Sequence, residues 1–202
     1  MRLTIASPVA IRWACKRFHY AKAVPVVLMG FNVYNDRNEW CGVICYGPGA
    51  NAQIADPYDK WQGQVIELVR VALNGKQEQT SKAVALSLKL LHKYCPMVDL
   101  VVSYADMDQD HYGTIYQATN WLYTGTTTEG KCVAFIVKGK RRHNRSIQSK
   151  GWKANLLWLR ENVDEKCQEF ITKGKRKYLY CFDEKLKKRL EILRQEYPKV
   201  DK

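Results

Sequence analysis

Three carboxylates, a histidine and two tyrosines fall within Ser103-Tyr104-Ala105-Asp106-Met107-Asp108-Gln109-Asp110-His111-Tyr112-Gly113. The run from Val98 to Ala105 is short and continuously apolar, the pattern of a strand buried on both faces. Ligands of open α/β sheets meet the protein beyond the carboxyl ends of such strands. Asp106, at the strand edge, is therefore expected to act as a general base or to orient an amine. Asp108 and Asp110 bring negative charge to the start of the following helix. Capping of that helix is the alternative for all three. A D-x-D-x-D run also opens a calcium loop, but His111 stands where Gly is needed and Gln117 where Glu is needed.

A second candidate is the turn Asn74-Gly75-Lys76-Gln77-Glu78-Gln79-Thr80-Ser81-Lys82. Its amides and hydroxyls, with Thr80, Ser81 and Lys82 opening a helix, could hold a phosphate or an acyl donor. With a single Gly it is neither a Walker loop nor the Q/R-x-x-G-x-G/A grip of acetyl-coenzyme A enzymes. An acyl donor such as acetyl-CoA is thus allowed without its usual pyrophosphate motif, and a simple helix cap is the competing reading. Arg70 lies deep in an apolar strand and needs a partner. Glu67 is three residues away and on the opposite face of a regular strand, which favours a shared site over a structural pair. His19 and Tyr20 close the first helix. No G-x-S-x-G, H-E-x-x-H or C-x-x-C motif is present, so serine-hydrolase and structural-zinc chemistry have no support.

The elements that must position these residues follow from periodicity and turn chemistry. Leu3 to Ala6 reads as a strand, Ser7-Pro8 starts a helix to about Tyr20, and 26–34 with 39–46 form a hairpin ending in Gly47-Pro48-Gly49-Ala50-Asn51. Gly63 to Leu73 is a third long strand, and a helix runs from Gln77 to Tyr94. The strand Val98 to Ala105 leads to a helix from Gly113 to Tyr123 capped by Gly125, then a strand from Cys132 to Val137. The order β-α-β-β-β-α-β-α-β describes a mixed α/β layer whose last helices cross between adjacent strands. Beyond it, 138–145 reads as a basic loop, 152–160 as an aromatic helical patch and 173–177 as a basic turn. Tyr178 to Phe182 is a strand, and Glu184 to Gln195 an amphipathic helix. Residues 1–137 are expected to form the catalytic layer and residues 138–202 a basic extension packed on the same domain.

Charge distinguishes the two parts. The 202 residues carry 33 Lys and Arg against 20 Asp and Glu, a net of +13. Residues 1–137 hold a net of +2 and residues 138–202 a net of +11. The basic side chains Arg141, Arg142, Arg145, Lys150, Lys153, Lys175, Arg176 and Lys177 are interleaved with Trp152, Trp158, Tyr178 and Tyr180. Such a surface neutralises phosphates and stacks bases, and it points to nucleic acid as the partner. The seven cysteines form no C-x-x-C pair and read as reduced thiols of a cytoplasmic protein. No signal-peptide pattern or membrane span is expected.

His19-Tyr20, Gly42 to Asn51, Glu67-Leu68-Val69-Arg70, Thr80-Ser81-Lys82, Val102 to Asp106, Gly113 to Trp121 with Gly125, Gly174 to Tyr178, and Tyr197-Pro198-Lys199 together resemble the Mom proteins of Mu-like phages. The likeness spans nearly the whole chain and is most specific between Ser103 and Gly125. That family is related to GNAT-type acyltransferases, so the resemblance implies an α/β, GNAT-like mixed β-sheet with flanking helices and a basic C-terminal elaboration. It implies a DNA adenine-modifying transferase that places a carbamoylmethyl group on the exocyclic amine. The modification shields phage DNA from restriction in the cytoplasm of a bacterial host. Tyr20, Arg70, Ser81, Asp106 and Tyr116 are the implied functional set. Asp106 would take a proton from the amine or position it, Arg70 and Ser81 would hold the donor, and Tyr20 and Tyr116 would stack on the base or donate a hydrogen bond. Double-stranded DNA is the implied partner, and the base must leave the stack to be reached. An iron has been considered for such chemistry, with His19, Asp106 and His111 as the candidate ligands. The competing readings are an N-acetyltransferase acting on a small amine or protein and an inactive DNA-binding relative.

Overall fold

The computed structural model describes residues 1–49, 52–127 and 133–199. Ala50, Asn51 and Cys132 lie outside the described residues, as does the side chain of Arg145. In chain order the elements are β1 (Arg2–Ile5), α1 (Pro8–Phe18), β2 (Met29–Tyr34), β3 (Trp40–Gly47), β4 (Val65–Leu73), α2 (Thr80–Tyr94) and β5 (Leu100–Asp106). They continue with α3 (Thr114–Gln117), β6 (Leu122–Thr126), β7 (Val133–Val137), β8 (Lys140–His143), α4 (Asn144–Gln148), α5 (Leu156–Asn162), β9 (Gln168–Ile171), β10 (Lys175–Cys181) and α6 (Glu184–Leu190). The fold is mixed α/β, with one seven-stranded sheet in the order β1-β2-β3-β4-β5-β10-β6 and one three-stranded sheet in the order β8-β7-β9.

Local chemistry accounts for several boundaries. The Ser7 hydroxyl accepts the Ala10 amide at 3.3 Å and Pro8 occupies the first turn, which starts α1. The helix stops at Phe18 because His19 turns extended and its Nδ1 accepts the Ala21 amide at 3.1 Å. Asn35 shapes the β2–β3 turn: its Oδ1 accepts the amides of Arg37 and Glu39. Gly42, at φ +126°, lets β3 lie against β4, since a Cβ there would sit 2.1 Å from the Ala72 carbonyl oxygen.

The helix expected from Gly113 to Tyr123 is a single turn. Asn120 adopts a left-handed φ of 59°, which ends the helical geometry, and the β-prone run from Leu122 enters the sheet as β6. Gly125 is accordingly a residue of β6 and not a helix cap. The strands flanking α3 are not neighbours either, because β10 pairs between β5 and β6. The basic loop expected at 138–145 is the strand β8 and the start of α4, and β10 takes in Lys175–Lys177 of the basic turn at 173–177.

The chain divides into two compact units. The first comprises Met1–Tyr104, Gly113–Gly125 and Lys177–Lys202, and the second Ala105–Tyr112 and Thr126–Arg176. Boundaries between them fall within the strands β5 and β10. In the first unit, Val43, Cys45 and Ala72 pack with Ile11, Ala14 and Cys15 of α1. Leu100, Val102, Leu122 and Leu179 pack with Leu186 and Leu190 of α6 and with Ile54 and Tyr58. The second unit has its own core of Phe135, Val137, Ile147, Leu159 and Cys167, with Trp152 and Trp158 partly buried against it. No helix among the described residues is long and apolar enough to cross a membrane.

Candidate active site

The parallel strands β4 and β5 pair over only three rungs, Val65 with Leu100, Ile66 with Val101 and Glu67 with Val102. Past the Glu67–Val102 rung the ladder stops, while β4 runs on to Leu73 and stays paired with β3. Where the strands part, backbone groups that a neighbouring strand would have satisfied need other partners. Ser103 provides one: its buried hydroxyl lies 3.0 Å from the Leu68 carbonyl oxygen and 2.9 Å from the Tyr116 phenol. Ser103 Oγ is the donor in both contacts, so its one proton is shared between the Leu68 carbonyl oxygen and the Tyr116 hydroxyl oxygen.

Tyr116 sits in a ring cluster. Its ring is 5.1 Å from Trp121 and 5.0 Å from Tyr178, and Tyr123 and Tyr180 extend the group. Gly113 is obligatory beneath it: at φ +72°, a Cβ would lie 2.4 Å from the Tyr178 ring. The C-terminal Tyr197-Pro198 motif clasps the same cluster. The Tyr197 hydroxyl donates to the Trp121 carbonyl at 2.6 Å, and Gln117 Nε2 reaches the Pro198 carbonyl at 3.4 Å. Burial pushes the Tyr116 phenol up to about 12, and the Glu67 carboxylate adds to the rise. The Tyr104 phenol is raised by the same two causes in the same order. Glu67 Oε2 also lies beside Gly49, 3.6 Å from where a Cβ would be. The Glu67 carboxylate is half-buried, and its charge opposes ionisation of both phenols.

Of the five residues implied as functional, Tyr116 alone is buried. With its ring packed by Trp121 and Tyr178 and its hydroxyl on Ser103, it offers no open face on which a base could stack. It holds Ser103 and the end of the ladder instead. Among the described residues Arg70 enters no ion pair. Its Nη1 donates to the Val69 carbonyl at 2.7 Å and its Nε to the Ala23 carbonyl at 3.4 Å. Its charge acts on a pair of fully buried thiols, Cys15 and Cys45. The hydrogen bond between the two lowers Cys15 to about 7 and raises Cys45. Tyr20 is exposed with its ring 4.3 Å from His19.

Ser81 and Thr80 open α2, whose N-cap Gln79 makes no side-chain cap. The first-turn amides of that helix are left to other acceptors. Gln77 donates to the Thr80 hydroxyl at 2.8 Å, and the loop before the helix is held by Asn35, which donates to the Lys76 carbonyl at 3.2 Å. Lys82 is exposed.

Asp106 is the last residue of β5, and one of its carboxylate oxygens accepts the Asp108 amide at 3.0 Å. Asp108 accepts the Lys173 amide at 3.1 Å, and Asp110 meets the Lys173 ammonium at 3.5 Å. Capping a short turn and tethering residue 173 are thus roles that the acidic segment does fill. Among the described residues no three His, Cys, Asp or Glu side chains are grouped to hold a metal.

The basic residues fare differently from one another. Lys150, Lys153 and Lys175 are exposed. The Arg141 guanidinium lies 3.6 Å over the Phe170 ring, and Arg142 and Lys150 flank Trp152 at 6.0 and 5.3 Å. Arg176 stacks 4.4 Å over Tyr112 and donates to the His111 carbonyl at 2.8 Å. Lys177 points inward: its ammonium is 5.2 Å over the Tyr58 ring, and burial lowers its pKa. Position along β10 separates it from Lys175, since burial rises from the exposed start of the strand toward Tyr178 and Leu179.

Comparison with known proteins supplies the remaining context. The chain matches the Mom protein family over residues 3–199. No curated protein sequence matches. Among solved structures, a point mutant of spermidine N-acetyltransferase from Vibrio cholerae is similar with a TM-score of 0.50 at 6% identity, over 90% of this chain and 95% of that one. A chimera of the Vibrio cholerae enzyme with hSSAT is similar with a TM-score of 0.50 at 7% identity, over 94% of this chain and 99% of that one. The fold is that of the GNAT acetyltransferases.

Proposed function

We propose a DNA-modifying transferase, a reading that proceeds from the family: the chain belongs to the Mom protein family. The reaction is transfer of a carbamoylmethyl or related acyl-type group to the exocyclic amine of adenine, which protects phage DNA from restriction. One observation carries the transferase part. The β4–β5 ladder ends after three rungs, and the helix that follows β4 starts with side-chain-uncapped amides. A parallel ladder that opens after three rungs and a helix start without a side-chain cap each suit a donor with a negatively charged end.

Thr80, Ser81 and Lys82 would receive that end. Arg70 has five N–H groups, of which two are engaged by backbone carbonyls, so others can meet the donor or a developing negative charge. The adenine amine is a weak nucleophile because its lone pair is delocalised into the ring. Asp106 would hold it and take its proton as the new N–C bond forms and the donor bond breaks. Tyr20, exposed beside His19, is the aromatic able to meet a base taken out of the duplex. The exposed Lys150, Lys153 and Lys175, with the stacked Arg141, Arg142 and Arg176, would carry duplex DNA.

The test is mass spectrometry of nucleosides from DNA of cells that express the protein. An adenine adduct with wild type, and its loss with Asp106→Asn, is expected. No adduct, or an undiminished one in the variant, overturns the mechanism. The shared fold keeps one other reading in view, an N-acetyltransferase for a small amine. That activity would acetylate a polyamine in vitro, leave DNA unmodified and be indifferent to neutralisation of the basic residues.

A further inference from the structure

We propose that the outward face of α1 is a second DNA-contacting surface, which engages the phosphodiester backbone of the duplex outside the basic C-terminal third. The inference rests on the reading of DNA as the substrate and adds to it a footprint on the first unit.

The first 35 residues contain no Asp or Glu and five Lys or Arg, a local imbalance hidden in the near-neutral total of the first two-thirds. Two of these cations are committed elsewhere. Arg2 stacks 4.3 Å over Tyr34 and donates to Asn38, and the Lys22 ammonium donates to the Arg17 carbonyl at 3.0 Å. The other three, Arg12, Lys16 and Arg17, all lie on α1, are exposed and enter no ion pair among the described residues. At 100° per residue they share an arc of about 140° with Val9 and Trp13. Ile11, Ala14 and Cys15 fill the opposite, buried side.

Trp13 is half-exposed, yet it is held rigid by Phe18 at 5.1 Å and Trp40 at 5.4 Å. A fixed aromatic among unpaired cations is unusual for a merely solvated helix face, which normally interleaves both signs. The three charges spread over about 7.5 Å of helix axis. DNA carries a charge every ~1.7 Å, so each side chain can neutralise a separate phosphate. The face is also joined to the candidate site. The segment leaving α1 passes exposed Tyr20 and is tied to Arg70 through the Ala23 carbonyl. A strand lying on α1 would be led toward the residues that are to receive the base. Cations outnumber apolar side chains on this face, which favours a polyanion over a lipid surface or a second copy.

The experiment measures fluorescence anisotropy of a labelled 20-base-pair duplex from 50 to 300 mM salt. The proteins are wild type, Arg12→Gln/Lys16→Gln/Arg17→Gln and Arg12→Lys/Arg17→Lys, with Lys150→Gln/Lys153→Gln/Lys175→Gln as the C-terminal comparison. Gln keeps helix propensity, and circular dichroism checks the fold. The α1 neutralisation is expected to weaken binding at least tenfold at 0.1 M salt. It should also reduce the slope of log K against log salt by about 2.7, whereas the Lys variant retains both. An unchanged slope in the α1 variant with a reduced one in the C-terminal variant overturns this inference and leaves the DNA reading standing. Wild type that ignores duplex overturns both. Retention on phosphatidylserine vesicles without duplex binding reassigns the face to a membrane and also overturns it.

Discussion

Ser103 and Tyr116 share a buried hydrogen bond of 2.9 Å at the point where β4 and β5 stop pairing, and through Ser103 the phenol is linked to the Leu68 carbonyl. The two residues belong to different elements, one in the middle of β5 and one in α3. Their bond ties the single helical turn after the acidic segment to the end of the ladder.

Removal of the two partners should therefore cost unequal amounts. Ser103→Ala leaves the Leu68 carbonyl and the Tyr116 hydroxyl buried without each other's bridge, and should destabilise by about 2–4 kcal/mol. Tyr116→Phe leaves Ser103 on Leu68 and should cost about 1 kcal/mol. Urea unfolding of both variants checks the order; equal losses would show that the bridge does not hold the ladder end.

Gly113→Ala should be worse than an ordinary surface substitution. It meets a left-handed φ and the Tyr178 ring together. A loss of about 2–4 kcal/mol is expected from strain and overpacking. The second substitution Tyr178→Leu should recover part of it by vacating the ring, a coupling that a double-mutant cycle measures.

Alkaline titration should be biphasic. Tyr46, Tyr58, Tyr104 and Tyr116 are all pushed up, by burial first. A phenol whose folded pKa lies above its unfolded value near 10 binds more protons in the folded chain. Its contribution is fully present below about pH 10 and is lost as pH rises through the folded value, about 12 for Tyr116. Absorbance at 295 nm should thus show exposed tyrosines ionising near pH 10 and the buried group only with unfolding. A single transition near pH 10 that includes all twelve tyrosines would contradict this.

Lys177→Met should leave the salt dependence of DNA binding unchanged, because this ammonium is directed over Tyr58. Replacement by an apolar side chain of similar length removes a desolvated charge and should keep or slightly raise thermal stability. Lys175→Met, two residues earlier and exposed, should lower the slope by about 0.9. Equal slopes for both variants would refute the difference in their exposure.

Much of the architecture was legible in residue order. Ser7-Pro8 marks the start of α1, Asn35 the hairpin turn, and the continuous run before Asp106 the strand β5, because these signals act within a few residues of chain. The polar Ser103 within that apolar run was a visible clue to a buried partner, but not to which one. The run from Gly113 to Tyr123 misled because Asn120 and the pairing with β10 outweigh its helical spacing. The candidate site was legible in part. Asp106 at a strand end and Ser81 at a helix start are local facts, whereas the packed state of Tyr116 and the carbonyl partners of Arg70 are not.

By itself, the sequence determined the order of elements through Leu100–Asp106, the basic excess and the family. Tertiary structure alone decided that β10 enters the large sheet between β5 and β6, that Lys177 is drawn over Tyr58 while Lys175 stays exposed, and that the face shared by Arg12, Lys16 and Arg17 is left uncovered. The reason is physical. Caps, turns and periodicity are settled by interactions within a turn or two of chain. Strand order and side-chain facing are settled by pairing between segments that lie tens of residues apart, where many registers are compatible with the same local pattern.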